Sequence, residues 1–166
     1  KPLIISEYGL CEPFFKGGDK RRIKHMKYHT SVYDSMDFVA GVIYFCLNDY
    51  RTHMGEEGKG TFRQRVHGIV NLVGDKKPSY DSLKTIFSPL KNVSVKADNN
   101  KIYLSGKNHN GLPSYSLIGY KALLFNTNSE APIDTCNIPI LIPGDAFKVV
   151  FKKSYPYRGI YTIKVF

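Results

Sequence analysis

Tryptophan is missing from this chain and cysteine is scarce: its 166 residues include no Trp and three Cys. Cys11, Cys46 and Cys136 are odd in number and far apart, with no C-x-x-C pair and no metal-ligand spacing. They read as isolated reduced thiols in apolar surroundings, which excludes a disulfide framework and says little about compartment. Acidic residues are the minority charge, 14 Asp and Glu against 24 Lys and Arg, for a formal net charge of +10. Long apolar runs are absent as well. None approaches the ~18 to 20 residues that a helical membrane span requires. No cleavable leader is expected either, because Lys1-Pro2 runs straight into an apolar stretch. With no Met at position 1, the natural start is expected upstream.

What is present is globular: 42% apolar and 13% aromatic residues, in a length that suits one ordinary domain or two small ones. Much of the positive charge lies in KGGDKRRIKHMK, Lys16 to Lys27. A nucleic-acid surface would interleave such charges with stacking aromatics on one face. Here Ile23, Met26, Thr30, Tyr33 and Met36 recur near the helical period with the basic residues between them. That pattern predicts an amphipathic helix with a solvated basic face, and no nucleic-acid partner. His25 and His29 stand four apart on this helix, a metal-ligand spacing. They lack a neighbouring Glu and sit amid Lys24 and Lys27, so no metal is assigned and no cofactor is implied.

The first half alternates strand and helix. Pro2 to Ser6 reads as a strand of the apolar kind that is covered on both faces. A helix follows from about Asp19, taken as its N-cap, to Met36. VAGVIYFCLND, Val39 to Asp49, is a second apolar strand ending in a carboxylate, and a polar loop runs from Tyr50 to Lys76. The last helix begins with Pro78 near N1 and stops before Pro89. This βαβα order implies a parallel sheet. At about Ser88-Pro89-Leu90 the pattern changes. NVSVKA, KIYLSG, YSLIGYKALLF, NIPILI, FKVVFKK and GIYTIKVF read as six short strands. Turns at Asp98-Asn99-Asn100, Asn110-Gly111, Pro143-Gly144 and Arg158-Gly159 separate them, which predicts a β-sandwich. The expected division is 1–90 and 91–166. Parallel strands place chemistry at their C-terminal ends, so Glu7 and Asp49 are candidates for one shared site. A helix-capping or solvent-facing acid is the plain alternative for each.

With these residues in view, the chain resembles glycoside hydrolase family 2, the group containing β-galactosidases, β-glucuronidases and β-mannosidases. IISEYG resembles the family's seventh barrel strand and VAGVIYFCLNDYRTH its eighth. HGIVNLVGDKKPSYDSLK resembles the closing segment, in which a Lys-Pro leads into the last barrel helix. The later strands, including ILIPGDAF and GIYTIKVF, fit the accessory sandwich that follows the barrel in many members. The match runs in order along nearly the whole chain, although S-E-Y-G alone is short enough to occur by chance. The resemblance implies the last two β/α units of a (β/α)8 barrel followed by an immunoglobulin-like β-sandwich. A complete barrel takes ~250 residues, so the chain is expected to be the C-terminal part of a longer enzyme.

Carried over residue by residue, Glu7 matches the nucleophile of a retaining β-glycosidase. Such chemistry uses two carboxyl groups roughly 5 Å apart, and the attacking one must stay ionised. The acid/base partner comes from the family's fourth strand, outside this chain, since Glu12, Glu56 and Glu57 sit at no matching strand end. Tyr8 shapes the sugar pocket or simply packs. Phe45 stands nearest to a position where the family carries a sugar-stacking Trp. Asp49 either bonds a sugar hydroxyl or anchors its loop through Arg51. The glucuronidase subgroup's Asn-Lys pair is matched here by about Arg65 and Val66, ahead of Gly68. That disfavours a uronic acid and points to a neutral β-hexoside, with a β-galactoside ahead. His53 and His67 flank the same loop as pocket-lining or plain polar residues. The expected partners are a carbohydrate substrate and the rest of the parent chain, or another copy making a homo-oligomer. A non-catalytic carbohydrate-binding or scaffolding sandwich is the competing reading. Its sign would be Tyr115, Tyr120, Tyr155 and Tyr157 gathered into a stacking platform.

Overall fold

The computed structural model describes residues 1–55, 63–127, 129–152 and 159–166; Glu56, Glu57, Tyr155, Tyr157 and Arg158 lie outside them. The chain divides into two units, Lys1–Ser88 and Pro89–Phe166.

In the first unit β1 (Leu3–Tyr8) leads through a 3₁₀ turn at Phe14–Lys16 into α1 (Gly18–Asp34), and α1 returns the chain to β2 (Val39–Tyr44). β1 and β2 pair in parallel, the arrangement that a helical crossover produces. Their register pairs Ile5 with Val42 and Tyr8 with Tyr44. β1 therefore spends two residues, Ser6 and Glu7, where β2 spends one, Ile43. This is a bulge, which re-aims side chains. β3 (Tyr50–Thr52) and β4 (Arg63–Arg65) form a separate antiparallel pair, and α2 (Pro78–Ile86) follows with its proline at the start. Met26 of α1 packs with Ile69 and Val70 to form the unit's core, joined by Tyr44, Tyr80, Leu83 and Ile86.

A buried polar network ties this unit together. Arg22 is only 1% exposed. Its guanidinium donates to the carbonyls of Leu10, Glu12 and Val66 and pairs with Asp19. Asp19 does not cap its own helix, whose N-cap is Gly17. Its carboxylate instead accepts from the Ser79 N–H and hydroxyl at the start of α2. One acid thus neutralises the buried Arg22 and supplies the first turn of α2 with an acceptor.

In the second unit β5 (Leu90–Asp98), β6 (Lys101–Asn108) and β9 (Ala146–Val150) make one antiparallel sheet. β7 (Lys121–Asn126), β8 (Asp134–Asn137) and β10 (Tyr161–Val165) make another, ordered β10-β7-β8. Asn99 and Asn100 have φ of 47° and 60° in the tight turn joining β5 to β6. Two successive positive values suit asparagine and match the twist of the strands. Ile102, Leu104, Ala122, Leu124, Cys136 and Phe147 alternate inward from both sheets and meet Phe151, Leu117 and Leu141 in one core.

Several expectations are corrected. The chain is not two units of a (β/α)8 barrel followed by an immunoglobulin-like sandwich: its described residues fold as four small sheets with two α-helices. Among the described residues the parallel ladder stops at two strands: after it β3 and β4 pair antiparallel with each other, and a single parallel bridge joins Asn48 to Val70. The six later strands divide three and three, short of the four-plus-three arrangement of the immunoglobulin type. β1 and β2 are not covered on both faces, for Ile4 and Ile43 are 62% and 56% exposed. NIPILI is no strand. β8 precedes it, and Ile138–Ile142 keeps a single bridge, Leu141 to Leu117, because Pro139 lacks the N–H a ladder needs.

Candidate active site

Glu7 lies in the bulge near the C-terminal end of β1, with its side chain exposed. The next residue, Tyr8, turns inward. Its hydroxyl is 3.0 Å from Thr30 Oγ1, and its ring meets the edges of Tyr33 and Tyr44 at 5.4 Å. Burial, the largest influence, raises the Tyr8 pKa above its ordinary value. Tyr8 thus packs β1 against α1. Gly9 follows because a Cβ there would overlap the Phe45 carbonyl oxygen, and the Phe45 N–H donates to Tyr8 O at 2.8 Å.

These contacts bring the two strand ends side by side. Cys46, after the cis Phe45-Cys46 peptide, registers the neighbourhood electrostatically. Burial raises its thiol pKa most, the Asp49 and Glu7 carboxylates push in the same direction, and Lys77 and Arg22 oppose them.

Asp49 is buried, and both its oxygens are in use. Oδ1 accepts from the Gly68 N–H at 2.8 Å and Lys77 Nζ at 2.7 Å, and Oδ2 accepts from Gln64 Nε2 at 3.0 Å. The anchoring cation is Lys77, 28 residues downstream, and not Arg51. Arg51 lies on β3, where it pairs with Gln64 in the ladder and is exposed. Gly68 is required here, since any Cβ would collide with the backbone of Asn48, Asp49 and Val70.

Phe45 is half-buried beside Tyr50 and His67, with ring centroids 6.2 and 5.6 Å away. Tyr50 and His67 are 6.0 Å apart, and an Arg65 Nη lies 3.0 Å from His67 Nε2. An aromatic cluster with a guanidinium at its margin thus stands beyond β2. His67 belongs to it, whereas His53 is exposed. Sequence reasoning missed Gln64, Lys77 and Tyr50 as members of this region. The one available signal was the loop after the second strand, which holds Tyr50 and Gln64 and ends just before Lys77.

Other carboxylates are committed elsewhere. Glu12 is buried, and its Oε1 accepts from Arg21 at 3.1 Å. Glu56 and Glu57 fall outside the described residues. His25 and His29 do approach, with ring centroids 4.0 Å apart, but no group of three or more potential ligands forms among the described residues. Tyr115 and Tyr120 come together in the second unit. Burial first, then their hydrogen bond, raises the Tyr115 pKa. No helix among the described residues is long and apolar enough to cross a membrane. No protein-family profile and no curated protein matches this chain.

Proposed function

We propose that this chain carries the nucleophile of a retaining β-glycosidase acting on a neutral β-hexoside, with a β-galactoside favoured and Glu7 as the attacking carboxylate. The reading needs no barrel. The observation that carries it is the exposed Glu7 in the bulge of a parallel strand pair, next to the end of β2, which Phe45 follows. Glu7 would attack the anomeric carbon as the glycosidic bond breaks, and a second carboxyl group would give its proton to the departing oxygen. Water would then hydrolyse the glycosyl ester. Glu12, Asp19 and Asp49 are engaged as acceptors by Arg21, Arg22, Ser79, Lys77, Gln64 and Gly68. Following the family resemblance, we place the proton donor on the family's fourth strand, which is not among these residues. Phe45 offers an apolar surface to the sugar ring, Tyr8 supports the strand end from behind, and Asp49 fixes the loop that shapes the floor.

A 2-fluoro-β-galactoside with a good leaving group tests this in the full-length protein. The fluorine slows both steps, while the leaving group keeps formation of the ester feasible. The expected result is a covalent label on the peptide containing Ile5 to Cys11, and its loss in Glu7→Gln. A label on Asp49 would overturn the assignment. The isolated 166 residues are expected not to hydrolyse aryl β-galactosides.

The competing reading is a non-catalytic carbohydrate-binding or scaffolding module, with Tyr115 and Tyr120 as the described members of the expected platform. It predicts oligosaccharide binding that Tyr115→Ala abolishes and Glu7→Gln leaves intact.

A further inference from the structure

The exposed side of α1 breaks two local rules at one place. Lys20, Arg21, Lys24 and Lys27 crowd its N-terminal and middle turns, while its last turn has no basic residue. Cations near a helix N-terminus oppose the helix dipole, and like charges three or four residues apart repel. Such conflicts are expected where function outweighs stability. Arg21, Lys24, His25, Tyr28 and His29 fall on one helical stripe, and with Leu10 they line a groove of about 350 Å³, within the size range of small-molecule sites. The buried Nδ1 of His25 makes no hydrogen bond. The carboxylate of Glu12 answers only part of the charge, through Arg21. An anion in the groove would relieve the repulsion among these charges.

We propose that this groove binds the oxyanion of a sulfate or phosphate group, held by Arg21, Lys24 and the His25–His29 pair, with Leu10 and Tyr28 against any organic body it is attached to. The proposal stands on the groove alone and does not rest on the glycosidase reading.

Binding should strengthen as pH falls. His25 is faced by His29 and Arg21 from its own helix and by Glu12 from the segment before the 3₁₀ turn. Burial first, then the two basic neighbours, lowers its pKa, and Glu12 raises it in part. A bound anion favours the charged imidazolium and raises that pKa again.

The test is an NMR titration of the 166-residue chain with inorganic sulfate, inorganic phosphate and galactose 6-sulfate, at constant ionic strength and at about pH 6 and about pH 8. Expected are shifts at Leu10, Lys24, His25, Tyr28 and His29, tighter binding at the lower pH, and a rise in the His25 pKa on saturation. Lys24→Gln and His29→Gln should each weaken binding about tenfold. Lys27→Gln removes the same charge from α1 outside the groove and should change affinity by less than about twofold. Lys24 and Lys27 are exposed, so both variants keep the fold, and their spectra report it. Tighter binding of the sugar sulfate than of the free ions identifies an ester as the ligand; equal binding identifies the free oxyanion. Absence of shifts in the groove, an equal loss in Lys27→Gln, or tighter binding at the higher pH would overturn the proposal.

Discussion

Asp49 and Glu7 illustrate how two acids with the same sequence signature part company once folded. Both follow an apolar run and precede a tyrosine, and that much was legible. Glu7 is exposed in a bulge, whereas Asp49 is buried among donors from three segments. Removing one partner of a buried ion pair strands the other charge and the bonded N–H groups. Asp49→Ala is therefore expected to lower the unfolding free energy by about 3 kcal/mol, and Asp49→Asn by less, because the amide retains an acceptor. Urea denaturation measures both. Glu7→Gln should leave the same curve unchanged, since an exposed side chain of equal shape contributes little to stability. The choice of Lys77 over Arg51 was not legible. Asp49 is buried while Arg51 is exposed on β3, and nothing local announces a partner 28 residues away.

At the scale of elements, α1 and α2 form close to where the periodicity and Pro78 place them, but what joins them was hidden. Asp19 has the position of an N-cap and serves instead as the acceptor at the start of α2 and the counter-charge of Arg22. Asp19→Ala should cost about 3 kcal/mol, the scale for stranding a buried charge, and calorimetry should show a lower Tm for the first unit. The junction of the two strand ends is held by close backbone approach. Gly9→Ala drives a Cβ into the Phe45 carbonyl and should destabilise by more than about 1 kcal/mol. Gly41→Ala has no atom within 4 Å of the new Cβ and should be neutral or slightly stabilising. Equal losses in the two variants would show that Gly9 is not a contact point. Asn99-Asn100 was a readable turn because asparagine tolerates positive φ. NIPILI misled because its apolar pattern outvoted its proline.

Across the molecule the two units differ in how much core they own. Among the described residues, the buried cluster of the second unit contains ten residues and that of the first contains three. β1 and β2 also leave apolar side chains and open edges exposed. Hydrogen exchange should therefore find the slowest amides on β6 and β7, with β1 and β2 opening first. Slowest exchange in the first unit of a strict monomer would contradict this.

The sequence by itself determined the two helices, the parallel pair and most of the later strands, where the character of the chain changes near Pro89, and which acids end apolar runs; it left β3 and β4 inside a loop and read NIPILI as a strand. What it determined is local, written in periodicity, turn residues and composition. Only the tertiary structure decided how many strands share a ladder, that the sheets stay small, and that Asp49 turns inward while Glu7 turns out. It also brought Leu10 against the basic stripe of α1. Strand partnership and the environment of a charge depend on residues distant in sequence, and a one-residue bulge is enough to redirect a side chain.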